Sequence, residues 1–392
     1  MRSHVGRTEP RPRRLTLAYA SGGFGLAMVA QAAFLVPLRA RELGASFDAI
    51  GLIVGAGALA ALFASVPSGA LLDRLGPRRT FVLAAGVTGL LSLLFPLVTN
   101  YWWFLVLQPA LGLTRNLGWM ASMNYIASMG SDRQRATLTG RFSFISNVGQ
   151  VIGPLAVGAA AQLVGYRWAL LVPAVYALFF ACLGLFLPET SDGLPDQAQG
   201  FGLHSARALL ALGGIRVALM LTFATLWINT VFTTFLPIYL TGSGLDPGVV
   251  GAVVAALGCV AAVVAPTAGF WANYRSPTTL AILSLACGAL GLLLAAHATT
   301  LPWVFLVPVL IGIGSGMSMP LLLTVITTDA PARQRGVALG LRSIATQGAM
   351  TTAPFVVGPV IAVLGMTLGL AAAGAATVGM LAGARLLSAT RA

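Results

Sequence analysis

The chain has 392 residues, of which 57% are hydrophobic and 8% charged, with a mean hydropathy of +0.89 and a net charge of +13. A soluble globular domain carries about 25% charged residues, so the composition excludes an ordinary soluble fold and points to a polytopic membrane protein. Every Lys/Arg position is arginine, and most of these arginines sit in short loops, a placement that argues against nucleic-acid binding and for membrane orientation.

About 20 apolar residues in a helix rising 1.5 Å each cross a hydrocarbon layer of roughly 30 Å. Twelve runs meet this length. The first six are Leu15–Leu38, Phe47–Leu72, Thr80–Val98, Trp102–Ile126, Thr137–Val164 and Trp168–Leu187. The second six are Val217–Leu240, Gly248–Trp271, Thr279–Ala296, Trp303–Ile326, Val337–Val363 and Met366–Leu387. The fold class expected is therefore an all-α membrane protein of twelve transmembrane helices. Its first six-helix half covers 1–187, a polar cytoplasmic linker 188–211, and the second half 212–392. Arg11, Arg13 and Arg14 before an apolar run resemble a secretory leader, but that run is long enough to span and its repeat counterpart is internal, so a retained first helix is expected. Cys182, Cys259 and Cys287 are scattered through apolar runs as small core residues, forming neither a disulfide framework nor a metal cluster. No phosphate-binding G-x-x-x-x-G-K-[ST] segment occurs, and no cofactor is implied.

The two halves repeat at an offset of 200 residues. Pro37 meets Pro237, Gly44 meets Gly244, Gly51 meets Gly251 and Gly112 meets Gly312. Arg133-Gln134-Arg135 meets Arg333-Gln334-Arg335, Pro154 meets Pro354 and Gly158 meets Gly358. Duplicated sets of spans characterise secondary transporters, whose substrate site lies between the repeats. With the N-terminus inside, nineteen arginines fall in cytoplasmic segments, Arg342 among them, and only Arg39, Arg41 and Arg167 fall outside. The positive-inside rule then places both termini in the cytoplasm.

Four segments carry candidate chemistry. After span two come Gly69, Asp73, Arg74, Gly76, Pro77, Arg78 and Arg79, an acid among arginines beside a tight turn. The corresponding loop of the second half has Asn273 in place of the acid, so a latch built on this charge is one-sided. Span five carries Gly149, Gly153, Pro154 and Gly158; the spacing puts Gly149 and Gly153 on one helix face, where a neighbouring backbone can approach, and Pro154 bends the helix. Span four holds Arg115 at its centre, where a charge costs about 2.5–3.5 kcal/mol unless it faces a cavity or partner. Gln31, Asn116, Asn229, Ser315 and Gln347 fall at comparable depth and, with Arg115, form the candidate substrate cavity; Asn147 and Gln150 lie nearby, and Trp119, Trp227, Phe232 and Met317 would add apolar surface.

The loop after span two resembles the signature G-x-x-x-D-R-x-G-R-[RK] of the major facilitator superfamily, with Pro77 in place of a basic residue. Span five resembles the family's antiporter motif G-x-x-x-G-P-x-x-G-G, with Ala159 for the last glycine, and span four partly matches its R-x-x-Q-G motif. The resemblance implies the family's twelve-helix fold, an alternating-access mechanism without enzymatic chemistry, and a latch role for the Asp73 loop. It favours efflux of small amphipathic compounds, as in the drug-efflux branch, with import or facilitated passage of a small metabolite or organic anion as the alternative. The partners expected are a small-molecule substrate and the lipid bilayer of the plasma (inner) membrane, with no nucleic acid and a monomeric chain. A coupling ion is left open, because none of the ten acids and none of the three histidines lies in the middle of a span.

Overall fold

The computed structural model describes residues 12–129, 132–189, 203–297, 300–331 and 334–389. Among these residues the chain is helical apart from its turns, and no strand occurs. A helix closes its own backbone hydrogen bonds, which a lipid-embedded segment must do. Ten helices are long and apolar enough to cross a membrane. The other two expected spans are Phe104–Ser128, which carries Arg115, and the short apolar helix Leu171–Leu185. The result is an all-α, multi-pass membrane protein. Most span boundaries lie within a few residues of those expected: span two is Phe47–Leu75, span seven Gly213–Gly242, span ten Leu301–Asp329 and span eleven Arg335–Leu364.

The 200-residue repeat reappears in backbone geometry. Gly44 and Gly244 adopt φ of 87° and 86° after spans one and seven, and Gly165 and Gly365 adopt 77° and 81° after spans five and eleven. These values lie in the left-handed region that glycine tolerates best. The four turns share one end of the bundle. At the opposite, arginine-rich end Gly76 also has a positive φ of 78°, but its counterpart Ser276 has φ of −60°. The second copy of that loop has therefore lost the positive-φ glycine as well as the acid.

Span one departs from the uniform helix expected. Pro12–Ala18 is followed by a π-helical stretch Tyr19–Gly25, then Leu26–Gln31, a 3-10 turn Ala32–Phe34 and Leu35–Glu42. Gly22, Gly23 and Gly25 weaken the α preference of the stretch. They also let neighbours close in: a Cβ on Gly22 would fall 2.7 Å from Ser122 of span four, and one on Gly25 would collide with the Phe180 ring. The linker differs too, since Leu203–Ala211 is helical and seats buried Ala206 and Leu209 against spans seven and eleven. Cys182 and Cys259 are exposed on helix surfaces rather than enclosed. A lipid-facing surface accepts an apolar thiol as readily as a protein interior does.

Two glycine crossings join the first six spans to the second six. A Cβ on Gly158 of span five would fall 2.8 Å from the Gly251 Cα of span eight, and one on Gly358 of span eleven 3.1 Å from the Gly51 Cα of span two. The pairs are related by the repeat, and both lie toward the end that carries the four turn glycines. Small residues allow backbones to approach this closely inside a membrane. Nearer the arginine-rich end of the same helices, Phe63, Phe144 and Val263 are well exposed.

Candidate substrate cavity

Span four fixes the direction of Arg115 through its neighbours. Thr114 bonds Thr88 of span three through their hydroxyls at 2.9 Å, and Gly112 abuts the Gly57 carbonyl of span two. Trp119 and Ser122 lie four and seven residues beyond Arg115, on its own helix face. Ser122 meets span one at Gly22, and the Trp119 ring lies 5.4 Å from the Phe142 ring of span five. Arg115 therefore projects from the face that meets spans one and five, away from span three. Among the described residues no carboxylate pairs with it.

Asn116 is half-buried, with its amide nitrogen 3.8 Å from the Met120 sulfur of the same helix. Gln347 is half-buried in span eleven, and its backbone carbonyl accepts the Thr351 hydroxyl. Gln31 ends a helical segment of span one, but its side chain lies outside the described residues. In span five the Gln150 amide donates to the Asn147 oxygen at 3.2 Å.

Asn229 and Ser315 come together elsewhere. They line a crevice between spans seven, nine and ten, with Thr225, Leu285, Gly288 and Gly314 among its walls, that is too tight for a water. The Ser315 hydroxyl donates to the Ile311 carbonyl, while the Asn229 side-chain oxygen is enclosed without a donor among the described residues. Phe232 is fully buried and fills the interior instead of offering cavity surface. The Trp227 indole N–H, on a residue 5% exposed, is enclosed without an acceptor among the described residues, and its ring stacks on Phe223 at 6.1 Å.

Arg342 falls within the expected span Val337–Val363 although it was counted with the cytoplasmic arginines. It lies inside span eleven and is half-buried; its Nη2 donates to the Met319 sulfur of span ten at 3.2 Å. Its Nε is enclosed with no acceptor among the described residues. The signal available was its position seven residues beyond Arg335, within a run that stays helical. Counting it as a loop charge followed from treating arginine as a boundary marker.

At the arginine-rich end, Gly69 borders open space, and Asp73 and Arg74 are exposed without a bond to any described residue. The arginines that follow are engaged. Arg79 donates to the Glu189 carboxylate at 2.9 Å, Arg78 reaches the same oxygen at 3.5 Å, and Arg78 Nη2 donates to the Leu185 carbonyl. The Arg79 hydrogen bond and charge hold the Glu189 carboxyl below its ordinary range. The loop after span two is thus tied to the end of span six, in its own half. In span five Gly149, Gly153, Pro154 and Gly158 are all buried, and Pro154 and Gly158 form the near side of the crossing with Gly251. No group of three His, Cys, Asp or Glu side chains placed to hold a metal occurs among the described residues.

Comparison with known proteins fits this architecture. The family model described as Major Facilitator Superfamily matches residues 15–354. The chain is 26% identical over 281 residues to the multidrug resistance protein MdtG of Enterobacter lignolyticus (strain SCF1), covering 69% of this chain and 66% of that one, slightly under two thirds of the relative. It is also 26% identical over 309 residues to MdtG of Salmonella newport (strain SL254), covering 75% of each. Among solved structures, the nucleoside transporter NupG superposes with a TM-score of 0.83 at 11% identity, covering 95% of this chain and 98% of that one. An inward-facing, occupied bacterial homologue of the human lysosomal transporter Spinster superposes with a TM-score of 0.79 at 18% identity, covering 98% of each. With the family model spanning most of the chain and the twelve-helix bundle matching solved transporters, this chain belongs to the major facilitator superfamily and is a membrane transport protein rather than an enzyme.

Proposed function

We propose that this protein exports small amphipathic compounds across the plasma (inner) membrane by alternating access. The halves 1–187 and 212–392 rock about a site at mid-depth, joined by the linker 188–211, with both termini cytoplasmic and the chain acting as a monomer. The observation that carries this reading is the pair of repeat-related crossings, Gly51 with Gly358 and Gly158 with Gly251, at one end of the bundle. Tight backbone contact there closes that end, which arginine placement assigns to the outside. On this reading Arg115, projecting toward spans one and five, is loaded from the arginine-rich end, the route an exporter needs. Similarity to proteins named for multidrug resistance supports the export direction.

A second reading, import or facilitated passage of an organic anion, is favoured by Arg115 itself, a mid-span cation that no described acid neutralises. Naphthalene-2-sulfonate, a permanently charged amphipath, tests direction in inside-out and right-side-out membrane vesicles. Export predicts accumulation in inside-out vesicles, and accumulation only in right-side-out vesicles overturns it. The acids of the chain avoid the middle of the spans, and Arg115 stays protonated at all working pH values. Accumulation should therefore respond only weakly to an imposed pH gradient. A steep response would place a proton carrier in a residue not identified here.

A further inference from the structure

The repeat relates two contacts that differ in chemistry. Trp119 of span four touches Phe142 of span five in the first half. Adding 200 to each number gives Met319 of span ten and Arg342 of span eleven, and these also touch. The same structural position thus holds an aromatic pair in one half and a thioether–guanidinium pair in the other. The relation runs the other way for Arg115, whose counterpart is Ser315. Each half thus places an arginine well inside a span that enters from the arginine-rich end or returns to it, at different repeat positions.

Neither arginine is neutralised by a carboxylate of the described residues. Arg342 has only a thioether, a weak acceptor, on Nη2 and nothing on its enclosed Nε, and Arg115 has no described carboxylate. An arginine close to a helix end could instead extend toward the membrane surface. Arg342 does the opposite, since its contact with Met319 carries it inward onto span ten. Seven residues separate Arg342 from the first residue of span eleven, about 10 Å along the helix, whereas Arg115 is about 20 Å from the arginine-rich end of span four. The two cations thus stand at successive depths, with the Trp119 and Phe142 rings at the repeat position of Met319 and Arg342, one helical turn from Arg115 on the arginine-rich side.

We propose that Arg342 and Arg115 form a two-step receptor for an amphipathic anion: a compound with an aromatic body and one sulfonate, carboxylate or phosphate group. Arg342 captures the anionic group near the arginine-rich entrance, and Arg115 holds it at mid-depth while the body lies against Trp119 and Phe142. A guanidinium suits this role because it stays charged and presents paired donors to planar or tetrahedral oxyanions. The proposal rests on the transporter reading and adds to it the charge of the substrate and the residue from the second half that reads it.

The test is ligand-induced thermal stabilisation of the purified full chain in a neutral detergent. The anionic probes are naphthalene-2-sulfonate, 4-phenylbutyrate and phenyl phosphate; the cationic controls are N-methylquinolinium and benzyltrimethylammonium. The expected result is that anions stabilise the wild type and cations do not. R342Q and R115Q should each weaken anion binding by about 10- to 100-fold, the usual weight of a charge-assisted hydrogen bond. R342K, which keeps the charge but loses the fork, should fall between wild type and R342Q, and it serves as the folded comparison should R342Q prove unstable. Stabilisation by the cations alone overturns the anion proposal while leaving export standing. Anion binding unchanged in R342Q and R342K removes Arg342 from the receptor. Stabilisation by anionic lipid with none of the soluble anions effective assigns the arginines to a lipid headgroup and overturns the substrate role.

Discussion

Replacing Gly251 by alanine tests the closure of the bundle directly. A Cβ at this position falls 2.5 Å from the Pro154 carbonyl oxygen and 2.9 Å from the Gly158 Cα. Both obstacles are backbone atoms on span five, so no side-chain rotation relieves them. Favourable carbon contacts begin near about 3.5 Å, so spans five and eight must part by about 1 Å. Overpacking of this kind costs about 1–3 kcal/mol, but only in the state in which the crossing is closed. The equilibrium should therefore move about 5- to 150-fold away from that state. Leu163 and Val363 stand at repeat-related positions at this end, exposed by 84% and 83%, and accept spin labels without disturbing the interior. With Cys182, Cys259 and Cys287 first replaced, Gly251→Ala should lengthen the distance distribution between labels at 163 and 363. Gly379→Ala, where nothing lies within 4 Å of the added Cβ, should leave it unchanged. If Gly251→Ala keeps both the wild-type distances and wild-type transport, the crossing is not a closure that transport must open, and the reasoning fails.

Two further predictions concern the arginine-rich end. Asp73 is exposed and unbonded among the described residues, so Asp73→Asn should leave the melting temperature unchanged while lowering transport and shifting label distances across that end; wild-type transport would remove the latch role. The Glu189 carboxyl is held below its ordinary range chiefly by the Arg79 hydrogen bond. A depressed carboxylate contributes stability above its unfolded-state pKa and loses it as pH falls through the lowered folded value. The difference in melting temperature between wild type and Glu189→Gln should thus be present at neutral pH and vanish in acid. A difference that persists at acid pH would mean that the substitution acts through something other than the ion pair.

Much of the architecture was legible before any coordinates. Apolar runs of spanning length and the 200-residue register specified twelve helices in two related sets, because lipid leaves a chain few structures other than a helix. The register paired Gly44 with Gly244, but that these two, like Gly165 and Gly365, take matching positive φ values where each halts a span came from the backbone itself. Span five was recognisable as a close-packing helix from the spacing of Gly149 and Gly153, although Gly158 makes the contact, and Arg115 as a buried cation from its place in a long apolar run. Which residues face one another was not legible. Periodicity marks a helix face but not the helix that covers it, so the meeting of Gly158 with Gly251, the enclosure of Asn229 with Ser315, and the engagement of Glu189 by Arg79 had to come from packing. Arg342 shows the limit most clearly. Hydropathy put it inside the Val337–Val363 run, but only the path of span eleven past span ten turns it inward to Met319, because depth and direction are properties of the bundle and not of any one segment.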